Sequence, residues 1–169
     1  APTIRVWAGN KDSKDADEKY RLLVSDDLKR IGDLAKKAGI SISLEYHVHT
    51  LTDTLDSALR LIKEVNHDNV LNYWQPPVNI SHEECKTGLK SILPKLTNIH
   101  VYHWTYENND YIRFALAEGK ERWQEYFQIV KSVNHTGYAL LEFIKDDSLE
   151  QLRQDAKILN QLLEGNSNV

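Results

Sequence analysis

Ser43-Leu44-Glu45-Tyr46-His47-Val48-His49-Thr50-Leu51-Thr52-Asp53-Thr54 decides how the chain is read. An apolar run ends on a carboxylate, two imidazoles follow, and helix-capping residues come next. That order predicts a buried strand whose C-terminal end opens on a site, followed by a helix. The plan repeats on either side. Ile4-Arg5-Val6-Trp7-Ala8 is a β-rich run closed by Gly9-Asn10. Lys11 to Asp17 is polar. Glu18 to Ala38 carries Leu22, Leu23, Leu28, Ile31, Leu34 and Ala35 as a helical stripe, with Gly39 as its stop.

After the strand at 40–46, Thr52 or Asp53 is placed to cap a helix whose apolar face is Leu55, Ala58, Leu59, Ile62 and Val65. Asn69 to Gln75 is a third strand, ended by Pro76-Pro77. Ser81 with Glu84 forms a capping box for a helix running to about Leu93. Asn98 to Trp104 is a fourth strand. A polar insertion from Thr105 to Gly119 precedes a helix over 120–133, with Trp123, Phe127 and Ile129 among its apolar residues. Tyr138 to Ile144 is the last strand. Ser148 and Gln151 form a second capping box, and Leu152, Ala156, Leu159 and Leu163 mark the final helix. Gly165 to Val169 is a frayed tail.

Five βα units in succession imply a parallel sheet with right-handed crossovers. Candidate strand-end residues are regularly spaced: 30 residues from Glu45 to Gln75, 28 from Gln75 to His103, and 39 from His103 to Glu142. A (β/α)₈ barrel averages about 31 residues per unit. Five units do not close such a barrel. The expectation is a single domain over residues 1–169, either an open five-stranded sheet or the last five-eighths of a TIM barrel. The lack of any Met and the early first strand also point to a processed or incomplete chain. In an incomplete barrel, the missing N-terminal units or a second copy of the chain would cover the open sheet.

Composition is that of a soluble globular domain, with 41% hydrophobic and 27% charged residues. A net charge of -4 gives no general attraction to nucleic acid or anionic membranes. No apolar run approaches the ~20 residues of a membrane span. The single Cys85, with no signal-peptide pattern, favours the cytoplasm. The glycosylation sequons at Asn79 and Asn134 are read as chance. Phosphate loops, nucleophile elbows and paired-Cys metal sites are absent.

Glu45, Gln75, His103 and Glu142 lie at the C-terminal ends of successive predicted strands, the edge where parallel α/β folds build sites. Two carboxylates, an amide oxygen and an imidazole suit Mn²⁺, Mg²⁺ or Co²⁺ ahead of Zn²⁺. Each alone is most simply a polar strand end. Four in register, with both glutamates ending apolar runs, favour a shared cation, because an unpartnered buried carboxylate is costly. His47 is placed to touch substrate, and His49 is the weaker candidate. Trp7, Trp74 and Trp104 near strand ends could stack on a sugar, and Arg113 could meet an anionic group. His100 reads as structural.

Leu44-Glu45-Tyr46-His47, Val101-Tyr102-His103-Trp104 and Leu141-Glu142-Phe143 resemble strands five, seven and eight of the sugar phosphate isomerase/epimerase family, the xylose isomerase-like barrels that include apurinic endonuclease family 2. Ile4 to Gly9 and Asn69 to Gln75 resemble its fourth and sixth strands. The resemblance implies a metal held by Glu45, Gln75, His103 and Glu142. It also implies acid/base roles for Glu45 and Glu142 in isomerising or epimerising a sugar or related polyol. Gln75 stands where the family has Asp, so the site carries one negative charge fewer. Val78 stands where members often have His. The alternatives are a non-catalytic carbohydrate-binding barrel, and a lyase or dehydratase on the same site. The negative charge argues against endonuclease activity.

Overall fold

A computed structural model describes residues 2–77, 80–108, 110–133 and 135–165. Val78, the two sequon asparagines and the tail beyond Gly165 therefore lie outside the described residues.

The elements alternate as the sequence predicts. They are β1 (Thr3–Val6), α1 (Glu18–Lys37), β2 (Ser41–Glu45), α2 (Leu55–Val65), β3 (Val70–Trp74), α3 (His82–Ile92), β4 (Leu96–Val101), β5 (Trp104–Glu107), β6 (Asp110–Arg113), α4 (Lys120–Lys131), β7 (Ala139–Leu141) and α5 (Leu149–Glu164). Five parallel strands run in the order β1-β2-β3-β4-β7, and β5 and β6 form a separate antiparallel hairpin. The chain divides into two compact units, 1–77 with 91–98, and 78–90 with 99–169.

In the first unit, strand alternation sorts the side chains. Ile42 and Leu44 join Ala8, Leu28, Ala35, Leu51, Leu61, Val65 and Val70 in the core beneath α1 and α2. Ser43 and Glu45 therefore project from the opposite face of β2. The register Arg5↔Ser43 and Val6↔Leu44 puts Arg5 on that same face of β1. Thr97 closes the face by hydrogen bonding to the Ser43 hydroxyl and the Asn72 carbonyl.

The buried face of α1 differs from the predicted leucine stripe. Leu22, Leu23 and Leu34 are exposed, whereas Arg21, Ser25, Leu28, Gly32 and Ala35 are buried. Arg21 forks onto Glu64 of α2, with Nη2 2.8 Å from Oε2, and also donates to the Ser57 hydroxyl at 3.0 Å. Charge-assisted bonds of this kind are worth about 1.5–3 kcal/mol each, which lets a buried arginine take a position that pattern reading gave to leucine. Gly32 permits close approach of β3, since a Cβ there would stand 2.9 Å from Val70 Cγ2. Thr54 caps α2, not Thr52 or Asp53. The Thr52 hydroxyl instead donates to the Glu45 carbonyl at 2.6 Å.

In the second unit, the Ser81–Glu84 capping box of α3 forms as expected. Trp123 of α4 donates its indole N–H to the Tyr102 carbonyl at 2.8 Å. Ser148 caps α5 through the Gln151 N–H, but the Gln151 side chain turns to Asp155, so only half of the second box exists. Leu159 and Leu162 are the buried leucines of α5, while Leu152 and Leu163 are exposed. β4 stops at Val101, three residues before the predicted end, and β7 is confined to three residues. The insertion after β4 folds as the β5–β6 hairpin. Its turn uses Asn108 at φ 52°, the left-handed conformation that two-residue hairpin loops favour.

Among the described residues, no helix is long and apolar enough to cross a membrane.

Candidate metal and active-site residues

Glu45 closes β2 and is 2% exposed. Its Oε1 accepts from Arg5 Nη1 at 2.8 Å and its Oε2 from Trp7 Nε1 at 2.5 Å. The Trp7 ring lies against His47, with centroids 4.3 Å apart. His47 Nδ1 is also 2.7 Å from its neighbour's carbonyl, Val48 O. A buried carboxylate, an arginine, a tryptophan and a histidine thus share the C-terminal end of this strand pair. Gln75, one residue beyond β3, donates its Nε2 to the Tyr46 carbonyl at 2.6 Å. That bond assigns the amide orientation. Trp74 is fully buried and offers no open ring face. His49 is a surface residue paired with Asp12 at 2.9 Å.

In the second unit, Glu142 follows β7 directly. Its backbone N–H donates to the Val101 carbonyl at 3.1 Å. The imidazole set against it is His100, whose Nδ1 is 3.2 Å from Glu142 Oε2. Register explains why His100 and not His103 holds this place. Val101 pairs with Leu141, so Glu142 follows the alternation of Tyr102 and His100. His103 belongs to the other face and packs on the 3₁₀ turn before α4. A Cβ at Gly119 would lie 2.6 Å from its Nδ1. Burial, and then the Arg122 charge, push the His103 imidazole below its ordinary value, with Glu118 opposing. His100 sits at an alternating strand position, which by sequence pattern alone reads as structural. The signal that identifies it is the β4–β7 register.

Trp104 stacks on Phe143 and Tyr111, and Arg113 is ion-paired to Asp147 at 2.7 Å. Cys85 is buried, and burial raises its thiol above the ordinary value, as expected of a packing cysteine.

The family model for the xylose isomerase-like TIM barrel matches residues 1–162. The chain belongs to this family. Its five parallel strands are five strands of that barrel. The chain is 29% identical over 173 residues to a 3-dehydroshikimate dehydratase of Bacillus anthracis, covering 92% of this chain and 61% of the relative. It is similar to the crystal structure of the probable 3-DHS dehydratase AsbF of Bacillus anthracis, with TM-score 0.79 and 25% identity over 99% of this chain and 64% of that one. A xylose isomerase-like barrel from Mycobacterium smegmatis in complex with magnesium aligns with TM-score 0.74 and 20% identity, over 97% of this chain and 62% of that one. The chain thus spans less than two thirds of the length of these relatives.

The residues present suit a divalent cation. An imidazole nitrogen and a carboxylate oxygen 3.2 Å apart are spaced as neighbouring donors around an ion with ligand distances of about 2.1 Å. Nitrogen and oxygen donors without thiolate fit Mg²⁺, Mn²⁺ or Co²⁺.

Proposed function

We propose that this chain carries catalytic residues of a divalent-metal-dependent lyase that removes water from a small hydroxylated carbonyl compound. The observation that carries the reading is the His100–Glu142 pair at the ends of β4 and β7, and the likeness to a dehydratase supports it. His100 and Glu142 would hold the metal. The bound cation supplies Lewis-acid polarisation of a substrate carbonyl or hydroxyl. Glu142 takes the proton from the carbon next to the carbonyl. The electron pair of that C–H bond becomes the new C=C bond. The C–O bond on the next carbon breaks, and the leaving oxygen takes the proton that Glu142 accepted and departs as water.

Glu45 differs from Glu142 in its surroundings. Both its oxygens accept hydrogen bonds, one from a guanidinium. Those two bonds hold its carboxylate in place against Arg5 and Trp7. A base at Glu142 and a carboxylate already engaged by Arg5 and Trp7 suit an elimination, whereas epimerisation needs one group to remove a proton and another to return it.

A second reading is an isomerase or epimerase of a sugar or related polyol, with Glu45 and Glu142 as the acid/base pair. It is favoured by the Arg5 side chain being 44% exposed, so that it can leave Glu45 without repacking a core. The test is product analysis by mass spectrometry on the full-length protein with Mn²⁺. The substrates are 3-dehydroshikimate and a panel of ketoses. Loss of one water supports the lyase. An isobaric product with solvent deuterium incorporated supports the second reading. Sugar binding without turnover, unchanged by chelator, would mark a non-catalytic barrel.

A further inference from the structure

The β5–β6 hairpin lies outside the βα alternation, yet it grips the segment that carries Glu142. Phe143, the next residue, has φ 52°, and Asp146 and Asp147 follow at φ 58° and 47°. A bulky L residue rarely adopts this left-handed conformation, and it persists only where its surroundings over-determine it. Those surroundings are chiefly the hairpin, with the Tyr102 ring meeting Phe143 edge-on at 5.5 Å. The Trp104 ring stacks on Phe143 at 4.4 Å with an interplanar angle of 27°. The Arg113 guanidinium lies 5.7 Å from the Phe143 ring centroid. Arg113 Nη1 also donates to the Ile144 carbonyl at 3.3 Å and to Asp147 Oδ1 at 2.7 Å. Trp104 and Arg113 are directly opposed partners in the hairpin, so one rung delivers both groups to one turn. Tyr111 backs the indole at 4.7 Å, and the Phe114 N–H bonds the His103 carbonyl at 2.9 Å where the hairpin closes.

We infer that the β5–β6 hairpin aims Glu142, with Trp104 and Arg113 as positioning residues that hold Phe143 left-handed and so keep the Glu142 carboxylate beside His100. The effect expected on turnover rests on the proposed role of Glu142. The effect on geometry does not.

The test uses Phe143→Gly, Trp104→Ala and Trp104→Phe in the full-length protein. Glycine accepts a positive φ without steric cost, so Phe143→Gly removes the ring while leaving the turn accessible. Crystal structures of the variants give the His100–Glu142 separation, calorimetry gives Mn²⁺ affinity, and kinetics separate kcat from KM. Phe143→Gly and Trp104→Ala are expected to move the carboxylate beyond about 4 Å, the ion-pair limit. Mn²⁺ affinity and kcat should each fall at least about tenfold with little change in KM. Trp104→Phe should restore all three. A folded Phe143→Gly protein with the wild-type separation would overturn the inference, even if Trp104→Ala failed to fold. If the wild-type protein neither binds Mn²⁺ nor turns over substrate, the functional reading fails, and the separation in the variants alone decides the inference.

Discussion

His100 Nδ1 stands 3.2 Å from Glu142 Oε2, reached across two parallel strands registered at Val101↔Leu141. His100→Ala should therefore weaken Mn²⁺ binding by more than about tenfold, measured by calorimetry. His103→Ala should leave it within about twofold, because that ring packs on Gly119. Equal losses from both variants would contradict the assignment.

The outcome at these two histidines shows what was legible in the sequence. The five βα units and the strand-end glutamates are readable from hydrophobic period, turn residues and spacing, while the family rests on the resemblance of Leu44–His47, Val101–Trp104 and Leu141–Phe143 to its strands. Which histidine faces Glu142 depends on the pairing register, and a one-residue difference in register reverses the face. Val101-Tyr102-His103 looks like a strand end only until β4 is seen to stop at Val101. The hairpin had a local signal, Glu107-Asn108-Asn109-Asp110 between Trp104-Thr105-Tyr106 and Tyr111-Ile112-Arg113, but its polar turn read as loop. The α1 stripe was misassigned because Arg21 finds Glu64 only in the folded chain, and no periodicity records that bond.

Arg5 and Glu45 yield a stability prediction. Arg5→Ala leaves a carboxylate whose side chain is 3% exposed without its guanidinium partner. Breaking a fully buried pair costs about 3–5 kcal/mol. The arginine is half exposed, so about 1–3 kcal/mol is expected here by denaturant unfolding. Arg5→Lys should recover part of that, since lysine restores the charge but not the planar guanidinium that meets Oε1.

Gly119 is constrained by contact and not by its backbone angle. A Cβ would meet His103 Cγ at 2.7 Å, close to the imidazole's own backbone, so the ring cannot swing clear. Gly119→Ala should lower stability by about 1–3 kcal/mol. Gly119→Ala combined with His103→Ala should recover most of it in a double-mutant cycle.

His103 also gives a pH prediction. Burial and Arg122 hold its imidazole below the ordinary 6.5, so the unfolded chain takes up a proton before the folded one does as pH falls. Stability from keeping this ring neutral is full above 6.5 and is lost as pH drops from there through the folded value. Thermal midpoints should fall across that window. His103→Phe should flatten that slope, and an unchanged slope would show that another group dominates.

The most direct test of the proposed metal-dependent elimination is the initial rate of water loss from 3-dehydroshikimate by chelator-treated full-length protein, titrated with Mn²⁺. Turnover should be absent in chelator, return with Mn²⁺, and fall at least about 100-fold in Glu142→Gln. Turnover that persists in chelator, or that survives Glu142→Gln unchanged, would contradict the account.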